Sequence, residues 1–524
     1  MIENELAESL SLQPESILTA APALLAPLFP LAAALLPGFS QGGKRTVLMV
    51  RASLLSLAAA LSASVLVMLR GESHLACFQV DALTAVMLPL VCFLAAVVTR
   101  YSGPYLAGDP GQNRFTKWLG LTFCSVLTLI LAGNLLLFAL AWAATSLSLH
   151  RLLTFYRDRP AARLAANKKF LSSRLGDLCL AASLVPAWQS FGTWDFREMF
   201  AASAGSGVSP TMLAFLLVFA ALLKSAQFPF HTWLPDTMET PTPVSALMHA
   251  GIINAGGFLV LRLSPLLVQV PVVMDVLAIT GAFTALFASL VMLPQTSVKR
   301  SLAYSTIAQM GFMMLECGLG AFALAALHIV AHSLYKAHAF LSSGSVVAAQ
   351  KTAWKPTERR GGFPIILPAI LAAASLTWAA AAWFRPHPPS DPGVWLLGSI
   401  FVMGLASFLR NVWSASRDPV LIAHGLLAGG AAAVACFGAH ALFERMLAGV
   451  LPDHAPQRSP FEILVLAGIA VLFLTVMALQ ARLASGTGNR HLRALHVHLA
   501  NGFYLGEQAN RWTARIFRTR ARPL

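Results

Sequence analysis

The chain has 524 residues, 57% of them hydrophobic and 11% charged, with a formal net charge of +15. A mean hydropathy of +0.69 and apolar runs along the whole length exclude a soluble domain and define an all-α polytopic membrane protein. In such a chain the basic excess reads as cytoplasmic loops facing anionic lipid, not as a nucleic-acid surface.

The first sixteen residues carry Glu3, Glu5, Glu8 and Glu15. They lack the basic start of a cleavable signal peptide, so the first apolar run is expected to be retained. Apolar runs of about 20 residues predict about fifteen spans. They fall near 17–37, 46–69, 79–100, 115–133, 134–153, 168–188, 210–229, 242–264, 272–293, 299–316, 319–349, 363–384, 394–410, 418–441 and 460–482. Between Trp188 and Pro210 the segment TWDFREMF reads as an interfacial turn. Cys77, Cys92, Cys124, Cys179, Cys317 and Cys436 form no CxxC pair. They read as small buried hydrophobes, with no disulfide framework and no metal site.

Basic residues set the expected orientation. Loops after odd-numbered spans hold about nineteen lysines and arginines, from Lys44 and Arg45 through Lys168, Lys169, Lys351 and Arg360 to Arg417. Loops after even-numbered spans hold about six: Arg70, Arg197, Arg262, Arg385, Arg445 and Arg458. The basic side is expected to be cytoplasmic, which puts the N-terminus outside and the C-terminus in the cytoplasm. The last segment, with Arg490, Arg493, Arg511, Arg515, Arg518 and Arg520, reads as a basic amphipathic tail. It suits either the membrane surface or a partner.

The most informative stretch runs from Leu222 to Arg262. Lys224 stands in an apolar run, and Pro229, Pro235, Pro241 and Pro243 follow. Proline removes a backbone donor and clashes with the preceding turn, so a helix must break here. Inside a membrane, broken helices are tolerated where they are buried in protein or line a wet cavity. An ionisable residue beside such a break is a candidate site for a moving ion. Burial disfavours the charged form of a lysine, so Lys224 suits proton loading and release. The alternative is a side chain that snorkels to the interface. His249, in the next span, is either a relay residue or a hydrogen-bonded core histidine.

Two further groups stand out. Arg174 and Asp177 are three residues apart and share a helix face, as a structural ion pair or as a relay tuning a nearby lysine. His328, His332 and Lys336 recur at i, i+4 and i+8, which drifts by about 80° and leaves one polar stripe. No carboxylate lies near as in HExxH, so a proton or cation wire suits the stripe better than zinc. There is no P-loop, dinucleotide fingerprint, zinc-ligand spacing or haem motif. The chain is therefore expected to need no cofactor and to perform no redox chemistry or nucleotide hydrolysis.

From Gln79 to about Gln350 the chain resembles the antiporter-like membrane subunits of respiratory complex I and Mrp-type antiporters. The resemblance rests on VDALTAVML (Val80 to Leu88), KKFLSSRLGD (Lys168 to Asp177) and KSAQFPFHTWLPDTMETPTPVSALMHA (Lys224 to Ala250). VKRSLAYSTIAQMGFM (Val298 to Met313) and HIVAHSLYKAHAFLSSGSV (His328 to Val346) add to it, and LHVHLANGFYLGE (Leu495 to Glu507) is a shorter echo. The resemblance implies two inverted five-helix repeats, each with a broken helix. It implies N-terminal helices over 1–114, a first repeat over 115–264 broken near 224–235 and a diverged second repeat over 265–417. C-terminal helices would occupy 418–489 and the tail 490–524. It also implies an ion path through Lys224 and His249 to His328, His332 and Lys336.

The departures are specific. The family carries a glutamate after a tryptophan in the fifth helix, where this chain has Trp142 and Ala143. His150, seven residues on and on the same face, or Asp177 is expected to substitute. Helices twelve to fifteen hold no lysine matching a second half-channel, and no long lateral helix follows the LANGFYLGE echo. These losses are similar to those of DabB-type membrane subunits of the bacterial inner membrane. That group pairs with a large soluble zinc protein, DabA, resembling a β-carbonic anhydrase. The resemblance implies a chain with no chemistry of its own that conducts H+ or Na+ inward to drive one-way CO2 hydration by the partner. A proton-translocating subunit of an NADH dehydrogenase, Mrp or membrane hydrogenase complex is the alternative, and a structural anchor with a decayed channel is the third reading.

Overall fold

The computed structural model describes residues 14–36, 43–156, 158–205, 210–344, 365–384, 391–415, 418–452, 460–484 and 490–517. Arg157, Arg385, Arg417, Arg458, Arg518, Arg520 and the loop with Lys351, Lys355, Arg359 and Arg360 lie outside these residues.

The chain begins with α1 (Pro14–Leu35) and α2 (Lys44–Arg70), followed by a hairpin of β1 (Ser73–Leu75) and β2 (Phe78–Val80). The strands are antiparallel, with Ser73 opposite Val80 and Leu75 opposite Phe78. Next come α3 (Ala82–Tyr105), α4 (Gln112–Leu131), α5 (Leu135–Leu153), α6 (Pro160–Phe191) and the short α7 (Phe196–Gly205). TWDFREMF thus ends in a helix rather than a turn. The Asp195 carboxylate accepts the Arg197 amide at 2.9 Å, which satisfies a donor at the start of α7.

The broken region follows as α8 (Thr211–Lys224), α9 (Trp233–Asp236), α10 (Thr242–Ala250), α11 (Ala255–Arg262) and α12 (Ser264–Leu267), the first four joined by single 3-10 turns. Then come α13 (Pro271–Met292), α14 (Val298–Gly318), α15 (Phe322–Leu341), α16 (Ile366–Phe384), α17 (Pro392–Ala415), α18 (Pro419–Leu447) and α19 (Pro460–Ala484). The tail forms α20 (Arg490–Ala500) and α21 (Leu505–Ile516). Local chemistry sets several starts. Asp81, Asn134, Ser297 and Asp418 cap α3, α5, α14 and α18 with their side-chain oxygens. Proline opens α6, α13 and α18, where its missing amide costs nothing.

Helical structure occupies the position of every predicted span. Among the described residues, eleven spans are long and apolar enough to cross a membrane, so the protein is a multi-pass membrane protein. α6, α14 and α15 fall outside that set because they carry the buried charges and histidines, and α8 because it is cut short at Lys224. The Thr242–Arg262 span is 89% buried, against 17% for Pro419–Leu447. The core therefore sits around the broken α10–α11 pair, with α16 to α19 towards the periphery.

Three residues read as loop cations are buried. Lys168 and Lys169 lie inside α6, 6% and 2% exposed, because that helix starts eight residues before the predicted span. Arg262 ends α11 and is 3% exposed, because Asp81 on α3 neutralises it. Removing these three leaves the asymmetry of basic residues in the same direction.

α13 and α14 pack through glycines. A Cβ on Gly281 would lie 2.5 Å from the Leu315 amide nitrogen and 2.6 Å from the Gly311 carbonyl. Small residues allow such backbone approach between membrane helices. Gly281→Val is expected to force the helices apart, at about 1–3 kcal/mol, and to lower membrane abundance several-fold. An unchanged abundance and melting temperature in detergent would contradict this.

The tail packs on its own chain. The Gln295 amide donates to the Ala500 carbonyl at 3.2 Å, and the Phe287 and Phe503 rings lie 5.9 Å apart. Thr513 and Ala514 are buried, while Trp512 is 62% exposed. One face of the tail is thus covered by the bundle, and the face with Arg511, Trp512 and Arg515 is open.

Candidate functional site

α8 ends at Lys224 because Pro229 cannot continue a helix. Lys224 therefore sits at a half-helix C-terminus, where unpaired carbonyls favour a cation. Its ammonium donates to the Ser146 hydroxyl at 2.9 Å and lies 4.4 Å above the Trp142 ring. Trp142 and Ser146 are one turn apart on α5, and Ala143 beside them is half-buried. On α6, Arg174 and Asp177 are paired at 2.5 Å. Asp177 is the carboxylate whose field acts on Lys224.

Lys169 joins this group. Its ammonium donates to the Ser146 carbonyl at 3.3 Å. Ser146 thus holds one lysine with its side chain and the other with its backbone. Lys169, Arg174 and Lys224 all act electrostatically on the carboxylate of Asp177. Like-charge repulsion opposes holding every one of these cations charged at once, which is the property a site needs in order to release a proton. The His150 ring meets that of Phe170 at 5.0 Å, tilted by 53°, within the field of Lys169. Of the two expected substitutes for the missing glutamate, Asp177 lies within electrostatic reach of Lys224 and His150 within that of Lys169.

His249 occupies the last turn of α10, before the break at Gly251. It is fully buried, stacked on Phe340 at 4.3 Å. Both ring nitrogens lack a hydrogen-bond partner among the described residues. Its carbonyl lies 3.1 Å from Nε2 of His332. Asn254 crosses the break, donating to the Ala250 carbonyl and the Ser333 hydroxyl, both at 2.9 Å. A cavity of about 40 Å³ lies here, lined by Thr145, Gly251, Asn254 and Ser333 among others, with room for a water between the two centres.

On α15, His332 and Lys336 are buried and His328 half-buried, while Tyr335 and His338 are exposed. The predicted stripe is thus one face. Lys336 donates to the Ser305 hydroxyl at 2.7 Å. The His328 and His332 rings are 6.1 Å apart. Nδ1 of His328 lies 2.9 Å from Oε2 of Glu316, a buried carboxylate on α14.

Sequence reasoning missed Lys169, Glu316 and the Asp81–Arg262 pair. Each carried the signal that singled out Lys224, a charge inside or at the edge of an apolar run. Near the first centre, Lys168 pairs with Asp236 of α9 and reaches the Thr232 carbonyl at 3.3 Å, clamping the broken segment to α6.

The fold and the line of buried cations and histidines define an antiporter-like membrane transport subunit. The family model "NADH:quinone oxidoreductase/Mrp antiporter, TM" matches residues 132–385, and "NADH-Ubiquinone oxidoreductase (complex I), chain 5 N-terminus" matches 75–116. The chain is 41% identical over 446 residues to a probable inorganic carbon transporter subunit DabB2 of Halothiobacillus neapolitanus, covering 84% of this chain and 79% of that one. It is 41% identical over 357 residues to a probable inorganic carbon transporter subunit DabB of Hydrogenovibrio crunogenus, covering 66% and 68%. The chain belongs to the DabB family. A solved Mrp complex from Dietzia has the same fold, with a TM-score of 0.59 at 23% identity, covering 96% of this chain and 63% of that chain. An archaeal membrane-bound sulfane sulfur reductase gives 0.55 at 16% identity, covering 94% and 99%.

Proposed function

We propose that the chain conducts H+ or Na+ across the bacterial inner membrane and so drives inorganic carbon accumulation by a soluble partner. The observation that carries the reading is Lys224, buried at the end of a broken half-helix and joined through the Asn254 break to the His328, His332 and Lys336 face. Helix ends of this kind, pointing into the bundle, are where membrane transporters hold their ions. Asp177 serves as the counter-charge that the glutamate supplies in relatives, with Arg174, His150 and His249 as relay or tuning groups. Carbon enters the reading through the names of the DabB relatives.

The partner is a large zinc protein of DabA type, resembling a β-carbonic anhydrase, on the cytoplasmic face. It hydrates CO2 in one direction while this chain conducts. The basic asymmetry supports an outside N-terminus and a cytoplasmic C-terminus. The open tail face with Arg511, Trp512 and Arg515 would then meet the partner. The two repeats would occupy 115–264 and 265–417, flanked by 1–114, 418–489 and the tail. A proton-translocating respiratory subunit is the second reading. It is favoured by 35% identity over 360 residues to chain 5 of a Synechocystis NAD(P)H-quinone oxidoreductase, covering 67% of this chain and 50% of that one.

Affinity purification in mild detergent, with metal analysis, separates the two. The expected result is a stable complex with one large zinc-containing protein. Recovery with respiratory subunits, or without a zinc protein, would overturn the carbon reading.

A further inference from the structure

Glu316 has no part in the path as read from the sequence. It is 2% exposed and faces two ways. On one side its Oε2 meets Nδ1 of His328, the outer end of the α15 stripe. On the other it lines a cavity of about 710 Å³ between α14, α17 and α18. That cavity also holds Cys436 and His440, and Nε2 of His440 lies 3.6 Å from Glu444, whose side chain is 39% exposed. Buried and exposed titratable groups thus follow one another from His332 through His328, Glu316, the cavity and His440 to Glu444. The last lysine in the sequence is Lys355, so α16 to α19 offer no ammonium for a proton path.

We propose that the conducted ion is a proton and that Glu316 passes it from this cavity to the stripe. The inference rests on the conduction reading and deepens it. A bare sodium ion needs several oxygen ligands to replace its water. The cavity wall is instead largely apolar, with Phe312, Leu397, Phe401 and Phe437. A proton needs only a hydrogen-bonded chain. Glu444 and His440 hand a proton from the outside to water in the cavity, and that water protonates the Glu316 carboxylate. The Glu316 acid then gives the proton from Oε2 to Nδ1 of neutral His328 and returns to carboxylate, and the resulting imidazolium passes it along the stripe. The waters of this step are held at the polar part of the wall, by Glu316 and His440.

The test uses membrane vesicles from cells that express the full chain beside its natural neighbours. A potassium diffusion potential is imposed in sodium-free buffer, and trapped pyranine reports proton entry. Glu316→Gln should lower the flux by about 100-fold, because the amide cannot take up and release a proton. Glu316→Asp should keep a substantial part of it. Ala432→Phe, which fills the cavity and leaves the carboxylate in place, should lower the flux as well, so the claim does not hang on one variant's folding. Equal flux in Glu316→Gln and wild type, or flux in wild type only when sodium is present, would overturn the proposal. Lys224→Ala separates the two levels. If it is silent and Glu316→Gln conducts, the Glu316 step fails alone; if Lys224→Ala conducts like wild type, the conduction reading fails.

Discussion

Lys224→Ala is expected to cut ion conduction, and any carbon-dependent growth that relies on it, by about 100-fold or more while membrane abundance stays normal. The variant loses the bond to Ser146 and the contact with the Trp142 face. Those interactions contribute about 1 kcal/mol each. Alanine also removes the cost of burying an ammonium, several kcal/mol, so folding is not the casualty. Lys224→Arg should fail too, since a guanidinium keeps its charge and cannot release a proton. The measurements are vesicle flux and quantitative immunoblotting of the same membranes. Full flux in either variant would remove Lys224 from the path.

The opposite pattern is expected at Asp81. Its carboxylate pairs with Arg262 and accepts from Gln79 at 2.8 Å and from the Thr84 amide at 2.9 Å. Arg262 also reaches the Thr84 hydroxyl at 2.9 Å. Asp81→Ala leaves a guanidinium buried without a counter-charge, at about 3–5 kcal/mol, and removes the cap of α3, at about 1 kcal/mol more. Against a typical stability of about 5–15 kcal/mol that is a large fraction, so abundance should collapse. Asp81→Leu with Arg262→Met should restore much of it, because a well-packed apolar pair can replace a buried ion pair. Normal abundance of Asp81→Ala would show that the pair is not holding α3 to α11.

The positions of the spans were legible because each depends on its own run of apolar residues. So were the break after Lys224, since proline acts locally, and the α15 stripe, since helical spacing fixes which residues share a face. What escaped depends on distance in the chain. Arg262 meets a carboxylate 181 residues away and was indistinguishable from a loop arginine. Glu316 gains its meaning from His328 on the next helix and from a cavity closed by α17 and α18. Lys169 was set aside with the loops because α6 runs beyond its apolar segment, and hydropathy marks where lipid begins rather than where a helix does.

The contact between Lys168 and the tail sets an order of events during synthesis. Beyond Asp236 and Thr232, the Lys168 ammonium donates at 3.4 Å to the carbonyl of Gly506, 338 residues further on. At about 5–20 residues per second, that carbonyl is made roughly 17–68 s after the lysine. Through that interval α6 and the broken segment stand in the membrane without their last latch. The tail closes over them only after α7 to α19 have been made. A ribosome that stalls before Gly506 therefore leaves the spans up to α19 made but the clamp beside Lys169 open. Such a chain differs from the finished one where proteolytic surveillance can reach it.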